Sequence, residues 1–488
     1  MASKKQKSIS FNLIVNGIKT LMSVLFPLIT FPYASRILGA SGIGKVNYAS
    51  SIISYFSLIA SLGISTYAIR EGARIREDRE KFNKFAREIL SINLCTTVIS
   101  YLLLIVFLSL PILNNYKILL VICSAGIVFT TIGMEWLFII KEEYSYITIR
   151  AIAFQFISLI LLFLLVKSEK DYCWYAALTV ISSGGSAVMN LWHSRKFVDW
   201  RNRGSKLEFR KHLKPIFLIF GTSLASSIYM TMDTTMLGAL KGDSAVGVYT
   251  AAVKINSVVS TLIGTVSSTI LPRVAYYIGN GLQEQYKKLM KTSMDILLMI
   301  SMPAAIGMIC TSDILILLFS GKEFLVGSLA AKILSAKVVV SAINRVLAYQ
   351  VCTPHKMDKE VLISTASGAI FNLFANAILI PIAGVTGASV ATLLSEIIVF
   401  CVLSKYAKEV LDTRKLYDRI WIYGAISILF VFVRMIMNRL LESSVLCLGG
   451  TMSVCVVLYA MILLIIGDKY IREYLKKFGT IIKKIIRK

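Results

Sequence analysis

Stretches of about twenty mostly apolar residues recur along nearly the whole chain, and each can cross a hydrocarbon core of roughly 30 Å as a helix. Inside a bilayer every backbone N–H and C=O must be satisfied within the protein, so only helices and closed barrels are open to such a sequence. The runs are continuously apolar rather than alternating over about ten residues, which selects helices. Spans are expected near 9–33, 43–68, 89–110, 117–139, 147–166, 173–194, 215–239, 246–271, 293–318, 329–353, 361–380, 384–404, 420–440 and 445–467. That is about fourteen transmembrane helices, each end placed to within roughly three residues. Of 488 residues, 56% are hydrophobic and only 16% charged, well below the quarter or so usual for a soluble domain. The fold class is therefore an all-α integral membrane protein. The first apolar stretch is too long for a cleavable signal and lacks a small-residue cleavage site.

Positive charge orients the spans, because lysine and arginine near helix ends favour the cytoplasmic side. Arg70, Arg74, Arg76, Arg79, Lys81, Lys84 and Arg87 follow the second span, and Arg195 to Lys214 carries eight more basic residues after the sixth. The opposite connections are short and poor in such residues. Both termini are thus expected inside. Most of the formal charge of +26 lies in these loops and the tail, which points to anionic inner-leaflet lipid and away from nucleic acid. In residues 468–488, Ile471, Leu475, Phe478, Ile482 and Ile485 recur at helical spacing, with Lys476, Lys477, Lys483, Lys484 and Arg487 as the polar flank, the pattern of an interfacial amphipathic helix. The eight cysteines show no paired spacing for disulfides or a metal. His193, His212 and His355 stand singly at helix ends, where a surface role is expected, and nothing in the chain calls for a cofactor.

Against this apolar background runs a polar thread: Asn12, Asn16, Lys19 and Ser23 in the first span, Thr222, Ser226 and Asp233 in the seventh. Lys19, Asp233, Lys254, Lys337, Arg345 and Glu396 all fall inside spans. An ionised group near the bilayer centre costs roughly 2.5–3.5 kcal/mol, so exposing all six to lipid would cost on the order of 15 kcal/mol. They are expected to face a hydrated cavity or one another. Depths of roughly 9 and 12 Å suggest an Asp233–Lys254 ion pair; Lys337 has no obvious mate, and Asn344 shares its face. The surplus is cationic, which favours an anionic cargo.

A short repeat organises the chain. Leu38-Gly39-Ala40, with Gly44 and Tyr48-Ala49, returns as Leu237-Gly238-Ala239, with Gly247 and Tyr249-Thr250-Ala251. The copies lie six helices apart and so share orientation, giving lobes related by an axis along the membrane normal. This predicts an N-lobe at 1–200, a C-lobe at 201–410, a helix pair at 411–467 and a cytoplasmic tail at 468–488. Polar stripes mark both copies: Asn47, Ser50, Ser54, Ser57, Ser61 and Ser65 in one, Lys254, Ser257, Thr261, Gly264 and Ser268 in the other. Such hydroxyls either line a wet path or bond their own helix's carbonyls.

Several segments carry a resemblance: Phe31-Pro32-Tyr33-Ala34-Ser35-Arg36-Ile37-Leu38-Gly39, Tyr55-Phe56 to Gly63, Arg70-Glu71, and Gly133-Met134-Glu135-Trp136-Leu137-Phe138 with Glu143-Tyr144. In these the chain resembles Wzx-type polysaccharide flippases of the multidrug/oligosaccharidyl-lipid/polysaccharide exporter superfamily. The resemblance implies two six-helix lobes in a V-shaped, MATE-like arrangement, moving an undecaprenyl-diphosphate-linked oligosaccharide across the inner membrane by alternating access. It implies no enzymatic activity. On this reading Lys19, Arg36, Lys254, Lys337 and Arg345 would hold the diphosphate, and Asn12, Asn16, Ser54 and Asn344 the sugar. Glu135, Asp233 and Glu396 would form ion pairs or couple H+ or Na+. A polysaccharide polymerase is a candidate partner. Lipid II flipping and drug-cation antiport share the architecture, whereas a glycosyltransferase or polymerase would need a larger outward loop with paired acids.

Overall fold

A computed structural model describes residues 9–200 and 207–472, apart from the side chains of residues 9–14, 16, 222 and 268. Among the described residues the chain is helical without strands, and eleven helical segments are long and apolar enough to cross a membrane. Contacts group it into two compact units, Met1–Thr250 and Ala251–Lys488. The tail beyond residue 472 lies outside the described residues.

In the first unit, the expected spans 9–33 and 43–68 lie in one continuous segment, α1 (Ile9–Ser61), in which two helices meet across a sharp break at Gly39, where φ is 65°. Only a residue without Cβ takes that conformation cheaply. Pro27 and Pro32 sit inside α1 without leaving the helical region. The helix stops before Leu62 and Gly63, both at positive φ, and α2 (Ile64–Arg74) follows. The Ala60 carbonyl freed at this stop is met from α3 (Arg79–Leu108), where Asn93 and Thr96 donate to it at 2.8 and 2.5 Å, and one turn earlier Ser100 donates to the Phe56 carbonyl at 2.7 Å. Asp78 caps α3, accepting from the Lys81 N–H at 3.1 Å, and this bond holds its carboxyl below the usual carboxylate range.

The helices α4 (Lys117–Gly133) and α5 (Glu135–Ile140) join through Met134, which is fully buried at φ 41°. A non-glycine residue there is strained. Next come α6 (Tyr144–Leu165), α7 (Tyr172–Gly184) and α8 (Ala187–Ser194). The single span expected at 173–194 is thus two short helices, and α7 packs so closely on α4 that a Cβ at Gly184 would lie 2.7 Å from the Phe129 Cβ. The unit ends with α9 (Arg210–Lys241) and the first turns of α10 (Asp243–Gly279). Its core gathers Tyr67, Phe82, Phe85, Trp136, Phe138 and Ile216.

The second unit holds the rest of α10, then α11 (Gln283–Phe319) and α12 (Ser328–Val346), followed by a π-turn at Leu347–Cys352. A long α13 (Asp358–Ala407) is broken at Gly384 (φ 52°), and α14 (Ile420–Leu440) and α15 (Ser444–Ile466) close the fold. Gln350, buried in the π-turn, donates to the Ser267 carbonyl and hydroxyl at 3.1 and 2.8 Å and accepts from the Ser293 hydroxyl at 2.6 Å. It joins α10, α11 and the π-turn. Below it, Asp295 accepts from Tyr470 at 2.9 Å and Asp468 from Arg419 at 2.5 Å, which moors the chain after α15 to α11 and α14. Many large apolar side chains are exposed, among them Ile105, Val106, Trp421 and Ile465. Lipid covers such surfaces at no cost, because its tails are as apolar as the side chains.

Candidate functional site

Lys19 lies two to three turns into α1, and its ammonium meets the Glu135 carboxylate at 2.5 Å. Lys19 and Glu135, expected to hold cargo and to couple an ion respectively, are therefore partners in one pair. The strained turn at Met134 makes Glu135 the first residue of α5 and brings it to α1. Neither side chain is sealed: they are 35% and 48% exposed, so the pair can be reached by a ligand. Asn12 and Asn16, two turns and one turn earlier, lie outside the described side chains. Arg36 is exposed near the far end of the same segment, before the break at Gly39.

Beside the pair stands a residue that the sequence reading passed over. Arg150, on α6, is buried, its guanidinium carbon 5.5 Å from the Tyr146 ring centroid, and its Nε and Nη1 have no hydrogen-bond partner among the described residues. Its position near a span end hid it among topology-setting charges. Tyr146 in turn stacks on His193 at 4.2 Å.

A second polar group lies between α12 and α13. Asn344 donates to the carbonyl and the carboxylate of Glu396 at 2.9 and 2.7 Å, and Lys337 stands 3.9 Å from that carboxylate. Lys337, expected to lack a mate, has one across fifty-nine residues. Arg345, next to Asn344, lies along α10: a Cβ at Gly264 would be 3.4 Å from its Nη1. No ion pair involves Arg345 or Lys254 among the described residues. The expected Asp233–Lys254 pair is replaced, because Asp233 is buried and accepts from the Tyr249 hydroxyl at 2.6 Å. An aromatic hydroxyl four turns along the chain meets that carboxylate without placing a second charge in the span.

The repeat is present with a shifted register. Helix breaks fall at Gly39 and Gly242 (φ 80°), each five residues before a close-packed glycine, Gly44 or Gly247. Gly238, matched to Gly39 in the sequence, is instead helical and lies against the Tyr48 ring. The two copies touch reciprocally: a Cβ at Gly44 would overlap the Asp243 carbonyl, and one at Gly247 the Ala40 carbonyl. Around this crossing Tyr116 donates to Asp243 at 2.6 Å, Thr235 to Ser51 at 3.0 Å, and Tyr55 meets Thr235 at 3.3 Å.

Most striped hydroxyls bond their own helix. Ser54 donates to the Ser51 carbonyl at 2.6 Å, Ser61 to Leu58, Ser257 to Lys254, Thr261 to Ser257 and Thr265 to Thr261. Such bonds let a hydroxyl sit in an apolar helix and do not by themselves make a path. On α9 the hydroxyls are more open: Ser223, Ser226, Ser227 and Thr231, with Met230, line an open-sided pocket of about 620 Å³.

His212 is buried rather than exposed. It donates to the Glu88 carboxylate at 2.8 Å and meets Tyr67 at 2.7 Å through its other nitrogen. Glu88 is fully buried and also accepts from the Glu208 N–H at 2.7 Å, with Lys211 at 3.3 Å. A buried carboxylate demands such donors, and they come from 120 residues away. Beside this group Lys84 holds the Glu208 carboxyl below the usual range.

Comparison with known proteins bears on the family and the fold. The family model described as polysaccharide biosynthesis protein matches residues 9–277, and the MatE model matches 219–378. A putative O-antigen transporter of Escherichia coli (strain K12) is 22% identical over 349 residues, covering 69% of this chain and 81% of the relative. One from Shigella dysenteriae is 24% identical over 415 residues, covering 83% of this chain and 100% of the relative. Among solved structures, the lipid II flippase MurJ in an inward closed conformation superposes with a TM-score of 0.76 at 15% identity, over 96% of this chain and 100% of that one. The match over residues 9–277, on an all-helical multi-pass fold, places the chain in the polysaccharide biosynthesis protein family.

Proposed function

We propose that the protein moves an undecaprenyl-diphosphate-linked oligosaccharide from the inner to the outer leaflet of the cytoplasmic membrane by alternating access, for capsule, O-antigen or exopolysaccharide synthesis. The observation that carries this reading is the Lys19–Glu135 pair, a reachable charge pair inside an apolar helix. Each sugar hydroxyl stripped of water costs a few kcal/mol, so a hydrated glycan needs a polar route while its lipid tail stays in the bilayer. Lys19 would engage the diphosphate, and the open hydroxyl face of α9 the sugars. Lys337, Glu396, Asn344 and Arg345 would serve the second lobe, with Lys254 and Arg36 as further cations, Ser54 and the two asparagines of the first span as polar contacts, and Asp233 as a structural acceptor.

The architecture proposed with this function has fourteen crossings. The eleven apolar segments become thirteen when α1 and α13 are divided at Gly39 and Gly384, and the α7–α8 pair supplies one more. The basic loops then lie inside, with both termini. An inside-negative potential would assist export by roughly 2.3 kcal/mol per negative charge per 100 mV if the full field is crossed. Coupling to H+ or Na+ and association with a polymerase belong to the same proposal.

The test is a flipping assay in vesicles of imposed potential with the full-length protein. Lys19→Ala is expected to abolish translocation at unchanged protein level, and undiminished flipping by that variant would reject the site. A second reading, transport of lipid II, is favoured by the similarity of fold to MurJ. It predicts competition by lipid II in the same vesicles, whereas the first predicts none.

A further inference from the structure

We propose that Arg150 is a second seat for the Glu135 carboxylate, which transfers there from Lys19 when a diphosphate takes the Lys19 ammonium. The proposal rests on the reading of Lys19 as the diphosphate ligand. Three observations lead to it. First, Arg150 is 8% exposed, and two of its nitrogens, Nε and Nη1, are buried without an acceptor among the described residues. The Tyr146 ring satisfies the face of the guanidinium but not its N–H edge. A buried donor left in this state is costly, and a carboxylate is the group whose geometry matches the guanidinium fork. Second, α6 is joined to α1 near both residues, since Thr148 donates at 3.3 Å to the Val15 carbonyl, one turn before Lys19, and Glu135 acts electrostatically on Arg150. Third, Glu135 is held by Lys19 alone among the described residues, and both ends of that pair are reachable.

The exchange solves a problem that a lone Lys19–Glu135 pair would pose. An anion binding to Lys19 must break the pair and leave Glu135 uncompensated in a partly dry site, which costs more than the new contact returns. With Arg150 waiting, Glu135 regains a partner and Arg150 loses its orphaned donors. The site then favours a diphosphate, whose several charges can compete with a carboxylate, over a singly charged headgroup. Arg150 is thus a positioning residue that acts through Glu135.

The experiment is a binding cycle on the full-length protein in nanodiscs, with farnesyl diphosphate as the probe and calorimetric titration as the readout. Arg150→Met is expected to weaken binding about tenfold, or about 1.4 kcal/mol, and Arg150→Lys to recover most of the loss. Glu135→Gln, which frees Lys19, tightens binding. In the Glu135→Gln background, adding Arg150→Met is expected to change affinity less than about twofold, within the usual error of such cycles. An equal loss in both backgrounds overturns the exchange, since Arg150 would then act on the ligand or on the fold. If Arg150→Met does not give a monodisperse protein, Arg150→Gln takes its place in the same cycle. A Lys19→Met variant that binds the probe undiminished overturns the diphosphate reading itself, a result distinct from failure of the exchange.

Discussion

Replacing Gly247 by alanine tests whether the reciprocal glycine crossing controls the approach of α1 to α9 and α10. In the structure a Cβ at Gly247 would overlap the Ala40 carbonyl, a backbone atom with no rotamer to escape into, and the converse holds for Gly44 and Asp243. To restore van der Waals contact the segments must part by roughly an ångström, and overpacking of this kind costs about 1–3 kcal/mol. If that cost falls on the close-packed arrangement alone, its population relative to an open one drops about 5- to 150-fold. The distance to follow is that between Ser51 and Thr235, whose hydroxyls lie 3.0 Å apart beside the crossing. With all eight native cysteines removed, Ser51→Cys and Thr235→Cys should cross-link rapidly under mild oxidation. Adding Gly247→Ala should slow the reaction at least fivefold, and adding Gly44→Ala should slow it further. An unchanged rate would show that the crossing yields elsewhere and would refute the argument from backbone overlap.

Other consequences can be measured directly. Glu88→Ala should cost about 3–5 kcal/mol in unfolding free energy, because His212 and Lys211 lose their buried acceptor, whereas Glu88→Gln should cost less; equal stability of the two would deny the charge a role. Gln350→Ala should destabilise the second unit by about 2–3 kcal/mol through the orphaned Ser293 and Ser267 groups, read as a fall in melting temperature that Gln350→Glu only partly reverses. Asp78 carries a lowered carboxyl pKa, so its cap on α3 stabilises fully above the unfolded-state value of about 3.9 and is lost as pH falls through the lower folded value. The melting-temperature gap between the unmodified protein and Asp78→Ala should therefore close below about pH 4, and a gap that persists at lower pH would contradict the assignment.

The spans were legible because length and apolarity act locally, whereas several helix ends lie well outside their expected limits, α3 beginning at Arg79 rather than 89 and α11 at Gln283 rather than 293. What the chain did not disclose depends on contacts between distant residues. Lys337 and Glu396 are fifty-nine residues apart and Glu88 and His212 more than twice that, so the charges could be counted from the sequence but not paired. The division into separate spans is legible at Gly39 and at Gly384, where a single glycine at positive φ separates two helices, although the sequence suggested a longer connection at the first. The repeat was found through an accidental Leu-Gly-Ala match, while the true equivalence, Gly39 with Gly242, is a matter of backbone conformation rather than of side chains. Arg150 was hidden by position: near a helix end a basic residue ordinarily marks orientation, and only its burial separates it from its neighbours.

The Glu88 hub bears on how the molecule is made. Its carboxylate sits on the third helix, yet the N–H of Glu208 and the imidazole of His212 arrive only when the ribosome has reached the ninth. Until then a nascent chain carries an acid with a ready-made niche and nothing to fill it. Completion of the early helices therefore waits on the leading turn of α9, and a polypeptide stopped before residue 208 would present quality-control proteases with an unfinished bundle.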